Sequence, residues 1–222
     1  MMQAVQETGW RRRGLLDTLL AEAGQALRVL DGSVTAGRPY PAGPRPADMA
    51  DLEGAQARHA AGLMRVNHVG EICAQALYRG QALFCRDASI REVLYQAATE
   101  EVDHLVWCRR RLDELGSRPS LFNPLWYLGA FSLGVVASRA GIPYNLGFMA
   151  ETERQVEEHL ESHLESLPPG DERSRRIVTQ MRDDEIGHCA TAESHGAHAL
   201  PLPIRIAMRG MSRVMTTTAY RL

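Results

Sequence analysis

The chain contains no lysine, and all 25 of its basic residues are arginine. Its 27 acidic residues give a formal net charge of −2 at pH 7, so the basic excess that is typical of nucleic-acid-binding proteins is missing. Aromatic residues make up only 6% of the 222 residues, and long β-branched runs are absent. This composition disfavours a β-sandwich or barrel. We therefore expect an all-α protein that binds no nucleic acid.

Cysteine is also scarce, and the four cysteines form no Cys-x-x-Cys pair. This absence argues against a zinc ribbon, a rubredoxin-type centre and a thioredoxin motif. The first ten residues lack the apolar stretch of a signal peptide, and three arginines follow at positions 11–13. We therefore expect a cytoplasmic protein.

Helical periodicity dominates the rest of the chain. An arm helix is predicted over residues 14–30, followed by a linker over 32–46 in which four prolines prevent a helix. We expect residues 1–48 to form an N-terminal arm and residues 49–222 to form one helical bundle domain. Four long helices are predicted in that domain, over residues 52–85, 89–115, 145–167 and 171–200.

Residues 119–138 contain no charged side chain, which raises the question of a transmembrane helix. Asn123, Pro124 and two glycines interrupt the stretch and argue against a continuous span. We expect a long crossover between two helical hairpins that packs on the bundle or dips into a membrane surface. Residues 204–222 mix apolar residues with three arginines and predict a C-terminal amphipathic helix.

The motif Glu-x-x-His occurs twice, as Glu101 with His104 and as Glu185 with His188. This spacing places the carboxylate and the imidazole on one helical face. A further glutamate lies about thirty residues upstream of each copy, at Glu71 and in the third long helix. Ferritin-like bundles that hold two iron ions use this arrangement, with one Glu from each of two helices and Glu-x-x-His from the other two. The sequence therefore predicts a ferritin-like four-helix bundle with a two-metal site.

The third long helix offers several glutamates, which differ in their helical face. Glu153 has apolar residues three, four and seven positions before it and three and seven positions after it, whereas Glu157 has charged residues at the corresponding near positions. Glu153 therefore lies on the core face, and Glu157 is the reserve candidate. The predicted ligands are Glu71, Glu101, His104, Glu153, Glu185 and His188.

A single Glu-x-x-His more often marks a solvated face or a salt bridge than a metal site. Two copies in apolar surroundings, each with an upstream glutamate, are much more specific. A carboxylate-rich set with two imidazoles suits iron or manganese better than zinc. Glu100, Asp103 and Asp184 directly precede ligands and are candidates to orient the imidazoles. The remaining histidines at positions 68, 159, 163 and 195 are interpreted as core residues or partners of the ligands.

Further motifs surround the predicted ligands. They are Asn67-His68-Val69-Gly70-Glu71 with residues 73–78 and 80–83, and the segments 100–108 and 147–153. Together these segments resemble the bacterial demethoxyubiquinone hydroxylases. The resemblance runs from about residue 59 to the C-terminus. It implies a ferritin-like fold in which the six residues above bind two iron ions per chain, with molecular oxygen as co-substrate.

The resemblance further implies ring hydroxylation of an isoprenoid demethoxyubiquinol (3-demethoxyubiquinol 3-hydroxylase activity) in aerobic ubiquinone biosynthesis. It also implies peripheral attachment to the cytoplasmic face of the inner membrane and other proteins of the pathway as partners, and it leaves the electron donor open. On this basis residues 119–138 are expected to form the mouth of an apolar route for the isoprenoid tail.

Other classes of protein share this ligand pattern. One is a ferritin-like oxidase or peroxidase of the rubrerythrin kind, although the missing Cys-x-x-Cys pair argues against the form that carries a rubredoxin centre. Another is a ferroxidase that stores iron in a hollow shell, and the third is a membrane-surface scaffold without chemistry. The apolar stretch 119–138 fits a membrane enzyme better than a soluble cage.

Overall fold

The computed structural model describes residues 14–47 and 52–222, in which the regular elements are helices and no strand occurs. The helices are α1 (Leu15–Asp31), α2 (Gly54–Leu83), α3 (Ala88–Glu114), α4 (Asn123–Ala137), α5 (Ile142–Ser166), α6 (Glu172–Ser194) and α7 (Leu202–Arg221). A short 3₁₀ helix, Ser138–Ala140, links α4 to α5. The predicted all-α fold is confirmed. The predicted domain boundary between residues 48 and 49 lies outside the described residues.

The four long predicted helices are α2, α3, α5 and α6, and their ends differ from the prediction by a few residues. Helix α3 begins at Ala88 because the Asp87 carboxylate caps it, accepting hydrogen bonds from the backbone N–H groups of Ser89 and Ile90. Helix α6 ends at Ser194, six residues before the predicted end. Gly196 has a φ of +90° there, a conformation that cannot continue a helix.

The two largest apolar clusters of the core lie on opposite sides of a polar layer. One cluster includes Leu77, Leu94 and Met149, and the other includes Met64 and Met181. Each of the four long helices contributes residues to both clusters. On each helix, a buried glutamate lies between the residues of one cluster and those of the other. The fold therefore places four carboxylates at one level of the bundle.

The uncharged crossover contains its own helix, α4, which packs closely against α2. Pro124 lies in its first turn, where a backbone N–H is not needed. Gly80 and Gly134 face each other across the α2–α4 contact, and a Cβ on either would overlap backbone atoms of the other helix. These glycines therefore serve helix packing. No helix in the described part of the chain is long and apolar enough to cross a membrane.

The N-terminal arm and the C-terminal helix both lie on the bundle. Helix α1 is joined to α2 by an ion pair between Glu22 and Arg79 at 2.5 Å, and buried Ala42 packs the following loop into the second core cluster. Helix α7 packs along α2, where the Tyr220 ring rests against Gly62. Ala219 is buried in this contact, whereas Met211 and Val214 are exposed. The predicted C-terminal amphipathic helix is thus confirmed.

Candidate metal centre

The structure brings all six predicted ligand residues together in the polar layer, in two overlapping groups. Glu71, Glu101, His104 and Glu185 form one group, and Glu101, Glu153, Glu185 and His188 form the other. Within each group, one ligand atom per residue lies within 4.8 Å of all the others. Glu101 and Glu185 belong to both groups and therefore occupy the shared, central positions.

Each imidazole directs its Nδ1 atom into the cluster. Nδ1 of His104 lies 3.1 Å from Glu101, 3.4 Å from Glu185 and 3.5 Å from Glu71. Nδ1 of His188 lies 3.2 Å from Glu185, 3.3 Å from Glu101 and 3.5 Å from Glu153. Each histidine therefore meets both shared glutamates and one glutamate of its own, so the two halves are nearly equivalent.

The outer nitrogen of each imidazole bonds to a carboxylate from the opposite motif. Nε2 of His104 lies 2.8 Å from Asp184, which directly precedes Glu185. Nε2 of His188 lies 2.7 Å from Glu100, which directly precedes Glu101. The third candidate, Asp103, contacts the guanidinium of Arg38 instead. Two of the three proposed partners thus fix the orientation of the imidazoles.

Burial and mutual repulsion govern the protonation of the cluster. Burial, and then the neighbouring Glu101 carboxylate, raise the pKa of Glu71 well above its usual value, and burial with Glu185 does the same for the pKa of Glu153. Burial also opposes ionisation of Glu101, but the close approach of the two histidines outweighs burial and lowers the pKa of Glu101. Without a cation, the site therefore holds protons that an incoming metal ion would displace.

The cluster contains carboxylate oxygens that accept no hydrogen bond. These are both oxygens of Glu153 and the Oε1 atoms of Glu101 and Glu185. Buried acceptors without donors are costly unless a cation satisfies them. Four carboxylates with two neutral imidazoles would balance the charge of two divalent cations. Oxygen-rich ligands with imidazole suit iron or manganese, so the residues present fit a two-metal centre.

Sequence reasoning missed several residues beside the cluster. Tyr78 is buried with an unpartnered hydroxyl, and burial followed by the nearby Glu153 raises its pKa well above the usual value. Gln75 is buried with both amide atoms unpartnered. They lie seven and four residues after Glu71, so helical spacing alone could have found them. Arg38 lies 66 residues before His104, and no local pattern in the sequence indicates that contact.

The remaining candidate residues differ in how deeply they are buried. His68 and His163 are buried, and burial lowers the pKa of each to about 3. The interpretation of His195 as a core residue or ligand partner is wrong, because α6 ends just before it and leaves its side chain exposed. Glu157, the reserve candidate, lies in neither group of ligands.

A cavity of about 690 Å³ extends from the cluster to the surface between α2, α4, α5 and α7. Its inner end includes Glu71, whereas most of its wall is apolar. Leu125 and Trp126 of α4 line it on one side and Met208 and Met215 of α7 on another. The cavity is therefore suited to a long apolar molecule that places one end beside the cluster.

Residues 58–219 match the family model described as Ubiquinone biosynthesis protein COQ7. The chain belongs to the COQ7 family. The match begins in the second turn of α2, ends in the last turn of α7 and includes all six clustered residues. The family is ferritin-like, as the sequence predicted. The arm, including α1 and Arg38, precedes the matched range.

Similar members of the COQ7 family cover nearly the whole chain. The protein of Bordetella avium (strain 197N) is 67% identical over 212 residues, which is 96% of this chain and 97% of that protein. The protein of Bordetella petrii is 66% identical over 210 residues, or 95% and 93% of the two chains. That of Ralstonia pickettii (strain 12J) is 58% identical over 217 residues, or 94% and 100%. All three are named 3-demethoxyubiquinol 3-hydroxylase, so the predicted resemblance to a hydroxylase family of ubiquinone biosynthesis is confirmed.

Proposed function

We propose that this chain is a 3-demethoxyubiquinol 3-hydroxylase whose reaction takes place at a di-iron centre. The observation that carries the proposal is the buried pair of overlapping ligand groups at the inner end of an apolar cavity. The substrate follows from the names of the relatives that match almost the full length of the chain. A membrane-surface scaffold would have no use for unpartnered carboxylate oxygens in its core.

Glu101 and Glu185 would hold both iron ions, because each belongs to both groups. Glu71 and His104 would complete one metal position, and Glu153 and His188 the other. Bound iron supplies the capacity to activate molecular oxygen, the co-substrate, which no amino-acid side chain provides. The protein keeps both imidazoles oriented by the carboxylates behind them.

The cavity would orient the quinol with its ring beside Glu71 and its isoprenoid tail toward the surface. The wall is apolar over most of its area, so it excludes water from the ring. Three polar residues, Asn67, Thr152 and Gln155, also line the cavity. The buried Oδ1 atom of Asn67 has no partner in the protein and is suited to accept a hydrogen bond from a hydroxyl group of the ring. The tail would leave between α4 and α7, past Leu125.

The outer surface of this cavity is suited to peripheral attachment at the cytoplasmic face of the inner membrane. Leu121, Leu125 and Leu128 near α4 are 60–64% exposed, and Met211 and Val214 of α7 are similarly exposed. Leu125 and Met211 also line the cavity. An isoprenoid quinol dissolved in the bilayer would therefore enter the cavity without crossing water.

A single-turnover reaction tests the proposed function. The anaerobic protein is loaded with ferrous iron and a short-tailed demethoxyubiquinol, labelled oxygen is admitted, and the quinone product is weighed. We expect one labelled oxygen atom in the product, absent in Glu101→Ala because both metal positions lose a ligand. Glu157→Gln, on α5 but outside the cluster, is the matched control and should retain the label. Oxygen consumption without labelled quinone would instead indicate a ferroxidase or peroxidase.

A further inference from the structure

The N-terminal arm brings one guanidinium group to the outer side of the cluster. Nε of Arg38 lies 2.7 Å from Oδ2 of Asp103, and Nη1 lies 2.8 Å from Oδ2 of Asp184. Nη2 lies 3.2 Å from Nε2 of His104. The guanidinium carbon also lies 4.8 Å from the centre of the Trp107 ring, within cation–π distance. One arginine outside the family-matched range thus contacts both His104 and Asp184, the carboxylate that orients its imidazole.

The loop that carries Arg38 is held on the bundle at several points. The backbone N–H of Gly37 donates to Oδ1 of Asp103 at 2.6 Å. Further along, Arg173 donates to the carbonyl oxygens of Ala42, Gly43 and Pro44. These contacts fix the backbone on both sides of Arg38. The loop therefore stays in place without the contacts of the Arg38 side chain.

The two halves of the cluster differ in what lies behind the imidazole. On one side, Oδ2 of Asp184 is 2.8 Å from both His104 and the guanidinium of Arg38. On the other side, the Glu100 carboxylate that bonds to His188 receives its second hydrogen bond from the neutral amide of Gln96. The otherwise nearly equivalent halves are therefore electrostatically unequal.

The contact with Arg38 changes how strongly the His104 imidazole donates electrons to a metal ion. A carboxylate that is shared with a cation attracts the imidazole proton less strongly, so His104 is a weaker electron donor than His188. The charge of Arg38 itself is partly offset by Asp103, which forms an ion pair with it. The main difference is therefore the weaker electron donation by His104, which favours the lower oxidation state of a metal ion at that position.

We propose that Arg38 is a positioning residue that makes the metal position at Glu71 and His104 the more easily reduced of the two. The inference rests on the proposed di-iron function. It is also consistent with the cavity, whose wall includes Glu71 but not Glu153, so the affected position is the one that faces the substrate site. The arm thereby tunes a site to which it contributes no ligand.

Three variants test this role. Arg38→Gln removes the positive charge and the guanidinium group that contacts both Asp103 and Asp184. Arg38→Lys keeps the charge, but a single ammonium group cannot reproduce the planar guanidinium contacts with both carboxylates. Arg28→Gln is the control. Arg28 is an exposed arginine of the same arm that bonds to Gln25 within α1. Cobalt(II) titration reports whether two metal ions still bind. A redox titration of the iron-loaded protein, followed by Mössbauer spectroscopy, reports the midpoint potential of each iron.

In the wild type and Arg28→Gln, we expect two separate midpoints. In Arg38→Gln, both cobalt ions should still bind while the higher midpoint falls toward the lower one, and Arg38→Lys should lie between. Unchanged midpoints in Arg38→Gln, in a protein that binds two irons and hydroxylates the quinol, would overturn this inference alone. A wild-type chain that binds no pair of metal ions would overturn the proposed function and this inference with it.

Discussion

The contact between α4 and α2 allows a sharp test of the packing that forms the cavity wall. Gly134 of α4 faces the backbone of α2 so closely that an added Cβ would overlap the carbonyl oxygen of Leu77 and lie 2.9 Å from the nitrogen of Gln81. Both obstacles are backbone atoms of a helix, so no side-chain rotation relieves them. Gly134→Ala must therefore displace α4 from α2, by roughly 1 Å to restore normal contact distances.

The expected loss of stability combines two opposing effects. Overpacking of this kind costs about 1–3 kcal/mol, while replacing a helical glycine by alanine returns about 0.5–1 kcal/mol. The difference between these two effects is a loss of about 0–2.5 kcal/mol in the free energy of unfolding for Gly134→Ala. Gly129 is the matched control on the same helix, because a Cβ there meets no atom within 4 Å. Gly129→Ala should raise the free energy of unfolding by about 0.5–1 kcal/mol.

Urea unfolding of the two variants and the wild type measures both effects, provided that the m values agree. Cobalt binding should be unchanged in Gly134→Ala because α4 carries none of the clustered residues. The KM for the quinol should rise, because the displaced helix also carries Leu133 of the cavity wall. Equal stability of Gly134→Ala and Gly129→Ala would show that α4 does not lie against α2 as described.

Two further predictions concern acid stability and membrane binding. Burial lowers the pKa of His163 to about 3 in the folded chain. Below about pH 6.5 the unfolded chain therefore binds a proton at this residue that the folded chain does not. Acidification from pH 7 to pH 5 should lower the free energy of unfolding by about 2 kcal/mol through this residue. His163→Leu should remove this part of the pH dependence in urea unfolding at pH 7 and 5, whereas the exposed His195→Leu should not; identical pH slopes in all three proteins would contradict the assignment. Leu125→Glu should reduce the fraction of protein that sediments with anionic phospholipid vesicles, because Leu125 is 60% exposed at the cavity mouth. The iron content should be unchanged. Leu27→Glu, which changes a similarly exposed leucine of α1, is its control, and undiminished binding of Leu125→Glu would refute the proposed attachment.

The helices and the ligand cluster were predictable because both depend on local periodicity. A helical face recurs every three or four residues, so the flanks of Glu153 and Glu157 indicated which one enters the core. The structure places Glu153 in the cluster with no exposed area and leaves Glu157 outside it. The same periodicity failed near the end of α6, where the positive φ of Gly196 ends the helix and exposes His195.

Contacts between distant segments left no comparable signal. The loop around Arg38 has no periodicity, and its proline and glycine content indicated only that it is not a helix. Its position depends on hydrogen bonds to Asp103 and Arg173, which lie 65 and more residues away in sequence. Likewise, Gly134 appeared in the sequence only as an interruption of an apolar stretch. Its role in packing depends on Gly80, which lies opposite it in the contact between α2 and α4.

The repeated motif also means something different in the folded chain than in the sequence. Two copies of Glu-x-x-His suggest two similar half-sites, each formed by its own helical hairpin. In the structure, however, Asp184 of the second motif orients His104 of the first, and Glu100 of the first orients His188 of the second. Glu101 and Glu185 likewise belong to both ligand groups. Neither half is complete until α3 and α6 pack together. The proposed metal binding therefore requires the assembled bundle, and neither hairpin alone can form one of the two ligand groups.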